Sequence, residues 1–150
     1  MFHSLKNKSL FMKKIVIAIL MIGTLPAFAQ KLKASKVPEA ANTEFTKAFP
    51  KASETAWERE NGNYKAVFTD GKEHVTAIFD ESGKRIETRF AMETKQLPGN
   101  VTKYVADNYS GKEITSVTRV VRPNAPQNIR CVVDGKSLLF GPNGQFLKAE

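Results

Sequence analysis

Apolar residues recur along this chain at two different periods. From Val37 to Phe49 they fall at Ala41, Phe45, Ala48 and Phe49, the spacing of an amphipathic helix. Pro38 suits the first turn of that helix, because its missing N–H would have no intrahelical partner there, and Pro50 ends it. From Glu54 onward the period is two: Trp57, then Tyr64, Ala66 and Phe68, then Val75, Ala77 and Phe79, then Ile86, Thr88 and Phe90. Side chains of a strand alternate between faces, so this pattern predicts four strands. Asn61-Gly62-Asn63, Asp70-Gly71-Lys72 and Glu81-Ser82-Gly83-Lys84 separate them. Each carries a Gly or Asn able to take a positive φ, which predicts tight turns and antiparallel neighbours.

The second half echoes the first. Leu97-Pro98 matches Val37-Pro38, Val105 and Tyr109 stand sixty residues after Phe45 and Phe49, and Val117 stands at the same offset from Trp57. Asp134-Gly135-Lys136 and Phe140-Gly141-Pro142-Asn143-Gly144 echo the later turns. The expectation is an α+β fold built as a tandem repeat, residues 37–92 and 93–150, each a helix followed by four antiparallel strands. Neither unit covers its own edges and apolar surface, so the two are expected to share one sheet. Trp57, Tyr64, Phe68, Phe79, Ile86 and Phe90 have one parity and belong beneath the helices. The opposite parity carries Glu58, Lys65, Val67, Thr69, His74, Thr76, Ile78, Arg85, Glu87 and Arg89, a mixed face left open.

The first 29 residues read as a targeting segment. Lys13 and Lys14 precede an apolar run from Ile15 to Leu25, Pro26 breaks it, and Ala27-Phe28-Ala29 is a small-x-small site before Gln30. About eleven apolar residues are too few to cross a hydrocarbon core, which takes roughly 20. The segment is therefore read as a cleaved signal peptide directing the protein to the periplasm or the medium, with no transmembrane anchor left after cleavage. Met12 begins a self-sufficient signal, so translation starts at Met1 or Met12. Residues 30–36 are lysine-rich and aperiodic, the pattern of a flexible lead-in.

Removal of the segment changes the charge. The 150-residue chain carries +8, but four lysines and no acid lie in the first 29 residues, leaving +4 on 121 residues. So small and dispersed a charge argues against nucleic-acid binding, which gathers basic residues on one face. One cysteine, Cys131, excludes an internal disulfide, and its neighbours Ile129, Val132 and Val133 favour burial.

Catalytic chemistry finds little support. After the targeting segment the chain has one histidine, His74, and one cysteine, too few for a zinc site. Ser82 falls in a turn and Ser137 in a strand, neither in a nucleophile-elbow setting. Glu58 and Glu87 share a face with Lys65 and Arg89, which points to cross-strand ion pairs. No cofactor and no enzymatic activity are expected. Candidate interaction residues are Lys65, His74, Thr76, Arg85, Glu87 and Arg89 on the open face. The hairpin tip Asp70, Gly71 and Lys72 and the proline-bounded loop Arg122, Pro123 and Asn124 join them as candidate loops. The basic residues of the face are expected to be solvated and dispensable for folding.

Val37-Pro38, Phe45, Phe49-Pro50, Trp57, Tyr64, Phe68 and Phe79-Asp80 with Gly83-Lys84, followed by a degenerate second copy, form a pattern that resembles the PepSY-like family of beta-lactamase-inhibitor-like exported bacterial proteins. The resemblance runs from about Val37 to Leu147. It implies a layout like that of beta-lactamase inhibitor protein: one curved sheet, helices on one face and an open face opposite. A non-enzymatic extracytoplasmic binding module is thus expected, an inhibitor or regulator of an unidentified protein, peptide or peptidase partner. The alternative is a small-molecule or envelope-ligand binder with a pocket between helices and sheet. Intact-mass analysis of the exported protein should give a product beginning at Gln30; retention of Ile15 to Leu25 in that product would overturn the secretory reading.

Overall fold

The computed structural model describes residues 31–150, so the targeting segment lies outside the described residues. The chain forms β1 (Lys31–Leu32), α1 (Glu39–Ala48), β2 (Ala52–Glu60), β3 (Asn63–Asp70), β4 (Glu73–Phe79) and β5 (Arg85–Met92). It continues through α2 (Gly99–Asn108), β6 (Ile114–Val121), β7 (Asn128–Val133), β8 (Lys136–Phe140) and β9 (Phe146–Ala149). Short 3-10 turns at Ala34–Lys36 and Thr94–Gln96 lead into the two helices.

All nine strands of the described residues lie in one sheet in chain order, each antiparallel to the next. This corrects the expected tandem repeat of a helix plus four strands. The described sheet is one continuous nine-stranded meander with two helices, and β5 pairs with β6 from Thr88↔Val121 to Met92↔Val117, at the very place where the repeats were expected to divide. The physical reason is the backbone: a free edge at β5 would leave a row of N–H and C=O groups without partners, and β6 supplies them. The expected lead-in is also replaced in part, because Lys31 and Leu32 pair with Glu58 and Trp57 as β1.

Pro38 stands immediately before α1, and Glu39 and Lys47 place opposite charges at the ends where the helix dipole favours them. The helix turns Ala41 and Phe45 inward. Phe45 meets Trp57 at 5.3 Å and Phe68 at 5.0 Å, both edge to face, and Phe49 lies 4.7 Å from Phe68. The sheet floor is cut low for these rings: Trp57, Ala66 and Ala77 stand in one cross-strand row, and both alanines are fully buried. A second cluster gathers Val101 and Val105 of α2 with Val117, Ile129, Cys131, Val133, Leu138 and Phe140. Register places both clusters, and hence both helices, on the same face of the sheet.

Turns fasten the helices as well as the strands. Asp80 Oδ1 accepts hydrogen bonds from the backbone N–H groups of Ser82 and Lys84, closing the β4–β5 connection. That closure sets Gly83, with φ of +86°, against the first turn of α1, where a Cβ would lie 2.6 Å from the Ala41 nitrogen. No side chain fits there. Cys131 is fully buried, and burial pushes its thiol up to about 11, so it behaves as a small hydrophobe.

Trp57 is 6% exposed and contacts Phe45 and Phe79. Trp57→Ala should therefore cost about 3–5 kcal/mol in urea melts, as buried large-to-small aromatic changes do; a loss below about 1 kcal/mol would place the indole outside the core.

Candidate functional site: the open face of the sheet

The face opposite the helices is built from the alternate residues of each strand. One cross-strand row reads Glu58, Lys65, Ile78, Glu87, and the next reads Ala56, Val67, Thr76, Arg89, Val120, Asn128. The charges in these rows are mutually paired. Lys65 Nζ lies 2.7 Å from Glu58 and 3.2 Å from Glu60. Arg89 donates to Glu60 at 2.9 Å and to Glu87 at 2.5 Å. Glu87 also meets Arg122 at 2.5 Å and Arg130 at 3.6 Å, and Arg130 continues to Glu150 at 3.0 Å. One ionic chain thus runs from β2 to the residue after β9.

This chain covers apolar side chains that an open face would otherwise expose. Ile78, Val120 and Leu139 point to the open side, yet they are 5%, 1% and 4% exposed. Their register neighbours are Lys65 and Glu87 for Ile78, Arg89 for Val120, and Arg130 for Leu139. Long charged side chains can lay their methylenes over such residues while keeping their heads in water or in ion pairs.

Glu87 is the most enclosed charge, with its side chain 9% exposed. Burial pushes its pKa up, but the hydrogen bond and charge of Arg89 and the charges of Arg122 and Arg130 outweigh that and hold it below the ordinary 4.5. Glu60 follows the same pattern: burial raises it, and Arg89 and Lys65 bring it below 4.5. Both carboxyls are therefore ionised at neutral pH, and neither has a proton to give as a general acid.

The structure sorts the sequence-predicted residues into groups. Lys65, Glu87, Arg89 and Arg122 come together in the ionic chain, so Lys65 and Arg89 are not the solvated side chains expected: each neutralises a carboxylate on the same face. Thr76 is half-buried between Val67 and Arg89. His74 is exposed opposite Thr69, outside the chain of charges. Arg85 is not on this face. The register shifts between β4 and β5 at Ile78/Phe79, which sets Arg85 beside Phe79, and its guanidinium lies 5.2 Å from the Phe49 ring and 3.9 Å from Glu44 of α1. Asp70, Gly71 and Lys72 form the β3–β4 hairpin tip, and Pro123 and Asn124 are exposed in the β6–β7 loop. Glu60, Arg130 and Glu150 went unnoticed in the sequence; the one local signal was a pair of acids, Glu58 and Glu60, on the same parity of β2.

A single antiparallel sheet with both helices on one face and a charged, uncovered face opposite defines an open-faced α+β protein of the beta-lactamase-inhibitor-like kind. The profile of the PepSY-like, beta-lactamase-inhibitor-like family matches residues 62–148, more than half of the chain, and the chain belongs to that family. Among solved structures, a DUF2874 family protein from Bacteroides ovatus ATCC 8483 is 25% identical with a TM-score of 0.66, covering 75% of this chain and 86% of that one. A BLIP-like protein from Bacteroides fragilis NCTC 9343 is 21% identical with a TM-score of 0.62, covering 75% and 84%. A protein described as periplasmic from Bacteroides eggerthii DSM 20697 is 20% identical with a TM-score of 0.67, covering 76% and 88%. No functionally curated protein matches the chain in sequence.

Because the folded pKa values of Glu60 and Glu87 lie below 4.5, these groups contribute stability that is fully present above about that pH and lost as pH falls through the lowered values. Urea melts should therefore weaken on the acid side of pH 4.5, and Glu87→Gln should flatten that dependence while costing about 1–3 kcal/mol at pH 7. An unchanged acid limb in the variant would remove Glu87 from the account.

Proposed function

We propose that this protein is a non-enzymatic binding module of the periplasm that docks a partner protein on the open face of its sheet. The observation that carries the reading is the face itself, on which cross-strand ion pairs hold the charged side chains in place beside an exposed apolar residue, Val67. Side chains already fixed by neighbours lose little conformational freedom when a partner arrives, and this preorganisation favours a protein–protein contact. Val67, at 37% exposure, stands in the row between Ala56 and Thr76, where a partner's apolar side chain would find no helix in its way.

Family membership supports the binding reading through the family's inhibitor-like description, and it leaves the partner unnamed. Export is supported by the signal-like segment at residues 1–29 and by the periplasmic description of the B. eggerthii structure. The ionised state of Glu60 and Glu87, each paired with basic side chains, favours a binding role over acid/base catalysis on this face.

The test uses Val67→Glu against Lys103→Glu, the latter on a side chain of α2 that is 75% exposed. Affinity capture from the native envelope fraction identifies the partner, and titration with the purified partner then measures both variants. Val67→Glu should weaken binding at least about tenfold, near 1.4 kcal/mol, with little movement of the melting curve, and Lys103→Glu should bind as the parent does. Equal binding by all three proteins would move the site off the open face.

A further inference from the structure

The two core clusters part along β5 and β6, and a cavity opens where they part. Phe90 packs with the cluster beneath α1, Met92 and Val117 with the cluster beneath α2, and Thr88 and Val121, paired in register, belong to neither. The cavity has a volume of 240 Å³, with Thr88, Phe90 and Val121 among its lining residues and Arg85 and Arg122 beside them. Beneath each helix, by contrast, apolar side chains gather into the two core clusters.

Charge and polarity single this cavity out. The two buried polar or charged residues of the described core, Glu87 and Thr88, both line it. Of its two cations, Arg85 is the loosely matched one. Arg85 has Glu44 at 3.9 Å, a loose pair between side chains each about a third exposed. Arg122 meets Glu87, whose carboxylate is divided among three guanidiniums, those of Arg89, Arg122 and Arg130. The loosely held Arg85 guanidinium thus stands beside an apolar wall of Phe90 and Val121, and the Thr88 side chain adds a hydroxyl.

We infer that this cavity is a binding site for a small organic carboxylate with a short apolar or aryl body. A guanidinium accepts a carboxylate through paired N–H donors, which suits Arg85 once it releases its weak contact with Glu44. A volume of 240 Å³ equals roughly eight waters at ~30 Å³ each, room for a carboxylate on a ring or short chain and too little for a lipid tail. The site adjoins the open face through Glu87 and Arg122, while Arg85 reaches it from the helix side and Val67 takes no part in it.

Phenylacetate is the probe, titrated into the exported protein with amide chemical shifts as the readout. Saturable shifts should appear at Thr88, Phe90 and Val121 with a Kd of about 1 mM or tighter. Neutral 2-phenylethanol, of similar size, should bind at least about fivefold more weakly. Arg85→Gln should weaken phenylacetate by a similar factor, and Glu44→Gln, which frees Arg85 of its competitor, should tighten it, giving opposite signs that a general loss of fold cannot produce. Shifts that fail to saturate or map elsewhere, equal binding of the neutral probe, or indifference to both substitutions would each overturn the inference.

Discussion

The pairing of β5 with β6 is the contact on which the rest of this protein depends. Each helix covers its own group of strands, and the aromatic cluster under α1 and the aliphatic cluster under α2 have no buried member in common. What makes them one body is the run of register from Thr88↔Val121 to Met92↔Val117, reinforced on the open side where Glu87 of β5 holds Arg122 and Arg130 from beyond the joint. Backbone hydrogen bonds supply the continuity, and the ion pairs resist shear of one group of strands past the other. Loss of the joint would expose two sheet edges and take two of three guanidiniums from a carboxylate that is almost fully enclosed.

An uncovered sheet face faces a conflict between solubility and apolar burial, and here the conflict is resolved without a covering layer. Ile78, Val120 and Leu139 stand on the wet side and are nevertheless buried, with Lys65, Arg89 and Arg130 as register neighbours whose long stems can cover them. Exposed ion pairs alone contribute little to stability. Their stronger effect in this protein comes from the geometry they impose on side chains that also cover carbon. The same geometry leaves Val67 as an apolar point in a charged surround.

The residues that were legible in the sequence were those whose signal is local. Helical spacing located Ala41 and Phe45, and the alternation around Trp57, Phe68 and Phe79 located strands and their buried side, because each depends on the next few residues only. Arg85 was misplaced because parity assumes an unbroken pleat, and a one-residue bulge between β4 and β5 turns it to the helix side. The repeat was overread for a related reason. An echo of residue types records which positions are apolar, whereas the division of a sheet is decided by which edges find partners. Lys65 and Arg89 stand on the open face that parity predicts but are paired there, since parity names a face and says nothing of the partner standing on it. Arg130 and Glu150 reach the network through pairings across strands distant in sequence, which no short window reveals.

Arg122 connects the face and the cavity. It lines the cavity and also donates to Glu87, so its guanidinium takes part in both electrostatic balances. A carboxylate that drew Arg122 toward the cavity would remove one of the three cations around Glu87, while Arg89 and Arg130 remained to hold that carboxylate ionised. The cost to the open face would thus be partial. Reciprocity then fixes the sign: if occupation of the cavity loosens the ionic chain, a partner that needs the chain intact must weaken the carboxylate by the same factor. With two of three cations unaffected, the coupling belongs at the low end of the usual range, about 1 kcal/mol or a fivefold change in affinity. Glu87 lines the cavity as well, so the bond between Arg122 and Glu87 stands where the two surfaces meet.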